Sequence, residues 1–232
     1  MKSFLKNILS TIIGMVSAVI VIVLLSVGAI AIMIPDKEVT VKKNSILKID
    51  LAKISVVERT SENPFAELNT SGEVGGTIEL KKVLDNIEKA KQDNNIKAIY
   101  ISTSFVNAGL SQIEEIRNKL LEFKKTGKVI IAYSEVYSQS AYYLASVANK
   151  IYLNPEGIIE IKGLSIEVMF YKELLEKLDI DMQIIKHGKF KSAVEPFILE
   201  KMSTANRQQM TLFLSSIADN IMDSIASQRG FS

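Results

Sequence analysis

Residues 77–103 read TIELKKVLDNIEKAKQDNNIKAIYIST, and the change of period inside this stretch decides the fold class. Ile78, Val83, Leu84 and Ile87 fall on one helical face with charges opposite, and Thr77 is placed to cap the start. IKAIYIST then drops the helical period and predicts a short buried strand. The alternation repeats downstream. SQIEEIRNKLLEFKKTG, residues 111–127, predicts a second amphipathic helix ended by Gly127, and KVIIAYSE, residues 128–135, predicts another strand. With a strand before it, this is a β-α-β-α-β progression. Such alternation implies a mostly parallel, helix-covered sheet with right-handed crossovers, its functional groups gathered at strand ends and the loops beyond them.

Upstream, SILKIDLAKISVVE, residues 45–58, alternates apolar residues at Ile46, Ile49 and Leu51 and predicts one strand. The breaker-rich SENPFAELNTSGEVGG, residues 61–76, reads as a surface loop with Gly75-Gly76 as a turn. Downstream, SQSAYYLASVANK (138–150) predicts a third helix, KIYLNPEG (150–157) a strand and turn, VMFYKELLEKLD (168–179) a helix and MQIIKHG (182–188) a strand. The last helix lies in residues 202–230, capped by Ser203 or Thr204, with Met210, Phe213, Leu214, Ile217 and Ile221 as its apolar positions. No domain-closing element follows Gly230, so the chain is expected to be a fragment of something longer.

From Asn7 to Pro35 the sequence carries no charge, and IIGMVSAVIVIVLLSVGAIAIMI, residues 12–34, exceeds the roughly 20 residues that cross a bilayer. A cleaved signal peptide has a shorter apolar region, roughly 7 to 15 residues, so Ala29-Ile30-Ala31 is an incidental match to a cleavage site. The expected organisation is a membrane anchor over residues 1–35 followed by one folded domain over 36–232. Lys2 and Lys6 precede the span, which by the positive-inside rule puts the N-terminus in the cytoplasm and the domain outside it.

Composition removes several classes of chemistry. The 232 residues carry a formal net charge of +2, with lysine and glutamate interleaved, so there is no basic stripe of the kind that grips nucleic acid. Without cysteine there is no thiol nucleophile, disulfide framework or thiolate metal site; one histidine makes a transition-metal centre improbable, and no Gly-rich phosphate loop is present. No cofactor is expected.

The remaining candidate is HGKFKSAVEPF, residues 187–197. If Ser192 to Glu195 open a helix, Lys191 stands at its positive end, where the macrodipole and unpaired N–H groups disfavour a cation. Lys189, on the same face of an extended segment, adds a like charge. Both effects favour the neutral amine that a general base needs to take a proton from a serine hydroxyl. The residues alone equally allow Lys189 and Lys191 to be solvated surface lysines. His187, without an obvious orienting carboxylate, reads as a strand-end surface residue rather than a triad member.

Two stretches, HGKFKSAVEPFILEKMS (187–203) and YSQSAYYLASVANKIYLNPEG (137–157), resemble the signal peptide peptidase A (protease IV) family in its long, two-half form. The resemblance runs from about Ile46 to the end, and it includes the N-terminal anchor. It implies a Clp protease/crotonase-like fold of repeated β-β-α units and a Ser-Lys dyad that degrades signal peptides and other membrane-associated peptides. It also implies residence in the cytoplasmic membrane with the domain outside, contact with membrane lipid, and a homo-oligomer, in this family a tetramer. In the long form the N-terminal half supplies the lysine and the C-terminal half the serine. The lysine of the family's K-S-A motif falls on Lys191.

The departures fit an N-terminal half. Where catalytic halves place the serine of a Ser-Gly-Gly-Tyr-Tyr stretch, this chain has Gln139, followed by Ser140-Ala141-Tyr142-Tyr143. The glycine pair that supplies oxyanion N–H groups in catalytic halves is only loosely matched by Asn107-Ala108-Gly109. The expected nucleophile therefore lies beyond Ser232; Ser138 and Ser140 are local alternatives with an adequate role as helix caps. Tyr142 and Tyr143 read as packing residues. A catalytically inactive, membrane-anchored scaffold or peptide-binding protein of the same fold is the competing expectation, and acyl-coenzyme A chemistry is disfavoured by the topology.

Overall fold

The computed structural model describes residues 2–33, 40–59, 76–185, 187–188 and 190–231. It divides into two compact units, Met1–Val41 and Lys42–Ser232. The first is helix α1, Lys2–Met33. Within it, Lys6–Ser26 is a 21-residue stretch of mean hydropathy 2.9, and at a rise of 1.5 Å per residue it is about 31 Å long, enough to cross the roughly 30 Å hydrocarbon core of a bilayer.

The second unit is built on parallel strands. Strand β1 (Ser45–Ile49) pairs with β4 (Ile96–Ile101), β4 with β5 (Val129–Tyr137), and β5 with β6 (Lys150–Ile159), giving the order β1-β4-β5-β6. Strands β2 (Ile54–Val57) and β3 (Gly76–Glu79) form a separate parallel pair. The single strand expected over residues 45–58 is thus two. Asp50 accepts a hydrogen bond from the Ala52 N–H at 3.2 Å, which turns the chain so that its halves enter different sheets. Thr77 and Ile78 belong to β3 rather than to a helix, because the parallel ladder with Ile54–Val57 claims residues 76–79. The loop expected over residues 61–76 lies almost wholly outside the described residues.

Helix α2 (Leu80–Gln92) buries Leu80, Val83, Ile87 and Ala90, and α3 (Leu110–Lys124) buries Ile113, Ile116, Leu120 and Phe123. Both patterns follow the helical period and cover the sheet formed by Ile99, Ile101, Ile130 and Ala132. Gly127 ends the α3 segment at φ 83°, a conformation open to glycine. The C-terminus of α2 is closed by a distant side chain: Lys128 Nζ donates to the carbonyls of Ala90, Lys91 and Asp93 at 2.7–2.9 Å.

Strand β6 continues through the expected turn. Its register against β5 jumps from Ser134–Leu153 to Val136–Ile158, so Asn154–Gly157 form a bulge. A Cβ on Gly157 would clash with the Glu135 carbonyl oxygen, which explains glycine there. From Glu160 to Tyr171 the chain forms neither helix nor strand, and it then forms short α5 (Lys172–Lys177). The strand expected at 182–188 does not form: the described residues there carry no strand, and Ile185 is fully exposed. An apolar run needs a neighbouring strand to become one, and none lies beside it among the described residues. A 3₁₀ turn (Ser192–Val194), α6 (Glu195–Ile198) and α7 (Thr204–Arg229) complete the chain.

Candidate active site

Lys191 is the residue immediately before the 3₁₀ turn, with φ −81° and ψ 76°. It stands at a helical start, as its sequence position suggested, but that start is a three-residue turn leading into a four-residue helix. So short a helix has little macrodipole. Lys189 lies outside the described residues. Lys191 is exposed and, with Ile185, His187, Phe190, Ser192, Ala193 and Val194, lines an open depression of about 470 Å³. No residue of α4 (Gln139–Ala145) lines it.

What fixes the turn is Glu195, four residues after the lysine and only 3% exposed. Its Oε1 accepts from the Ser203 hydroxyl at 2.6 Å, and its Oε2 accepts from the Ser203 N–H at 3.1 Å and the Asn206 amide at 3.0 Å. Ser203 caps α7, its Oγ accepting the Asn206 N–H at 3.1 Å. One carboxylate therefore stitches the lysine-bearing turn to the N-terminus of a 26-residue helix, where negative charge is favoured. Pro196 presets the first turn of α6. Its carbonyl accepts the Tyr171 N–H at 2.6 Å, and Tyr171 stacks on Phe197 with ring centroids 6.1 Å apart. Neither role of Glu195 is legible from its sequence position alone; the S-T-A-N capping pattern at residues 203–206 is its nearest signal.

The other sequence candidates lie at the N-terminus of α4. Ser138 caps it, accepting the Ala141 N–H at 3.3 Å, and its own N–H donates to the Ser104 carbonyl. Gln139 follows as the first helical residue, and Ser140 is half-buried. Tyr143 is buried, and Tyr142 meets Tyr137 edge to face at 6.0 Å. In the segment matched to the oxyanion glycines, the Gly109 N–H donates to Gln112 Oε1 at 2.9 Å, and the Asn107 carbonyl accepts the Val56 N–H at 2.9 Å. These groups are committed to packing α3 and β2.

The C-terminal end of α4 collects cations. Arg117, 4% exposed, donates to the Tyr143 carbonyl, Ser146 Oγ and the Ser224 carbonyl on α7, with its guanidinium 4.9 Å from the Tyr143 ring centroid. Burial pushes that guanidinium below its ordinary value. Lys124 donates to the Val147 carbonyl and Arg229 to that of Ala148. Helix-end carbonyls thus hold three cations and moor the end of α7 to the domain. Among the described residues no three His, Cys, Asp or Glu side chains cluster as metal ligands do.

Residues 122–232 match the model of Peptidase family S49. The chain is 36% identical over 151 residues to Protease 4 of Salmonella typhi, covering 65% of this chain and 24% of that protein. It is 38% identical over 170 residues to Protease 4 of Haemophilus influenzae, covering 72% and 27%. The putative signal peptide peptidase SppA of Enterococcus faecium is 23% identical over 226 residues, covering 89% and 65%. The chain spans about a quarter of the length of the two Protease 4 proteins. The matched segment carries the K-S-A turn and both of its anchors, on a mixed α/β domain with a parallel sheet, and the chain belongs to peptidase family S49, the signal peptide peptidase A family.

Proposed function

We propose that this chain is the lysine-donating, N-terminal half of a membrane-anchored serine peptidase that degrades signal peptides after their release. The carrying observation is Lys191 at a turn pinned by buried Glu195, facing an open depression that no α4 residue enters. A serine supplied from outside residues 1–232 attacks the peptide carbonyl carbon while neutral Lys191 Nζ takes the hydroxyl proton. The C–N bond then breaks, and the lysine ammonium returns that proton to the leaving amine; water hydrolyses the acyl-serine with the same lysine as base. Since the turn here is short and Lys191 is exposed, closure by the serine-bearing half brings the hydroxyl to Lys191 Nζ and excludes water from the depression.

Several features support this reading. An anchor of the length of α1 holds the site beside lipid-embedded peptides and raises their effective concentration; by its flanking lysines the domain is extracytoplasmic. Ile158 at the end of β6, Ile161, Leu164, Ile166 and Met169 beyond it, and Leu174 on α5 are all exposed, apolar surface suited to the second half and to further copies in a homo-oligomer. The scaffold reading draws on Gln139, whose side chain is engaged in structure where catalytic halves carry serine. A serine-directed fluorophosphonate probe on the complete gene product separates the two. Labelling of one serine outside residues 1–232 is expected; labelling of Ser138, Ser140 or Ser192, or no labelling of folded protein, contradicts the proposal.

A further inference from the structure

Where β5 ends and α4 begins, the ladder between β5 and β6 does not stop. The Glu160 N–H donates to the Tyr137 carbonyl at 2.8 Å. Two residues further along both strands, the regular parallel repeat would bring the Lys162 N–H to the carbonyl of residue 139. That carbonyl is no longer available to a strand, because Gln139 is the first residue of α4 and its C=O points along the helix. The Lys162 N–H instead donates to Gln139 Oε1 at 2.7 Å.

We propose that Gln139 is a positioning residue whose side-chain oxygen supplies the ladder rung that the helical backbone withdraws, fixing where the 160–171 arm leaves the sheet. The side chain has the reach for this: a strand acceptor is replaced by one three bonds beyond its own Cβ. Serine, the residue that the family resemblance places here in catalytic halves, is too short to be that rung. The departure from the family pattern is therefore a substitution of one task for another at a single helix start. The arm that Gln139 pins at Lys162 is pinned again at its far end, where the Tyr171 N–H donates to the Pro196 carbonyl beside the lysine-bearing turn. Between those pins no backbone partner from the sheet holds it among the described residues. Gln139 thus sets one end of a strut whose other end meets the Lys191 turn. That the strut orients Lys191 for reaction rests on the peptidase reading; the rung itself does not.

The test is backbone amide exchange on the full chain in detergent, comparing wild type with Gln139→Met, which keeps the shape without the acceptor, and Gln139→Glu, which keeps the acceptor. Exchange at Lys162 should quicken about fivefold to tenfold in the Met variant, the loss of one net hydrogen bond. It should stay at the wild-type rate in the Glu variant, while Glu160, held by the Tyr137 backbone, is unchanged in both. Equal protection of Lys162 in wild type and Gln139→Met overturns the proposal, as does loss of protection in Gln139→Glu equal to that in Gln139→Met. Exchange reads the rung directly, so its outcome is distinguishable from failure of the peptidase reading, which shows in proteolytic activity.

Discussion

From Ser45 to Val147 the chain is held by apolar burial, while from Asn149 to Asn220 the only buried residues among those described are Glu195 and Asn206, both polar. The two regions have similar apolar content in sequence, yet one becomes a core and the other, which includes the 160–171 arm, stays largely exposed. In the first, Phe123, Ile99 and Ile116 lie between helices and sheet with no exposure. In the second, position is fixed by discrete polar pins: Gln139 on Lys162, Pro196 on Tyr171, Glu195 on Ser203 and Asn206. Hydrophobic burial stabilises but is not directional, whereas hydrogen bonds specify geometry at little net gain in energy. A segment proposed to present Lys191 to a serine from outside residues 1–232 needs the second property more than the first.

The sharpest test of this contrast is truncation of a core aromatic. Phe123→Ala should destabilise the domain by about 3–5 kcal/mol in urea unfolding; a loss below 1 kcal/mol would mean that the layer is not the stabilising element. Glu195→Ala strands the Ser203 and Asn206 donors and should cost about 2–3 kcal/mol, confined to the arm. Limited proteolysis should then cut near residues 199–204 while the sheet stays protected, and cutting throughout the domain would show that the arm and core are not separable. Phe213→Ala, at a position 57% exposed, should change stability by less than about 0.5 kcal/mol.

The smallest effect is a pH dependence at the α2–α3 surface. Glu88 pairs with Lys119 at 2.7 Å and Lys91 at 2.6 Å, and both lysines also reach Glu122. Hydrogen bonds from Lys119 first, then Lys91 and Gln92, hold the Glu88 carboxyl down to about 2 from an ordinary 4.5. A carboxyl lowered on folding contributes stability that is fully present above its unfolded value and lost as pH falls through the folded one. The contribution should therefore fade between about pH 4.5 and about pH 2, weakened by salt because the network is at the surface. Glu88→Gln should flatten that part of the acid-unfolding profile; an unchanged profile would show the network to be inert.

The core region was the legible one. Helices α2 and α3, strands β4 and β5 and the Gly127 stop follow from local period and turn chemistry, since each amphipathic face has its partner close by in sequence. Three features were not legible because distant residues decide them. Strand β3 exists only through its pairing with β2, residues 182–188 lack a strand for want of a neighbour, and Arg117 looks like any helix-surface arginine until Ser224, more than a hundred residues on, accepts from it. For the candidate site, the sequence singled out Lys191 as the proposed base and marked the departure at Gln139. It did not reveal that Glu195 holds the turn, or that Gln139 has a structural task, because both depend on donors brought near by the fold.

The central claim is that Lys191 is the general base for a serine outside this chain. The direct measurement is peptidase turnover of a fluorogenic peptide by the complete gene product in detergent, wild type against Lys191→Ala, beside the 232-residue chain alone. Activity is expected in the complete protein, with a fall of at least about a hundredfold on Lys191→Ala with folding intact, and none from the short chain. Full activity surviving Lys191→Ala, or turnover by the short chain alone, would contradict it.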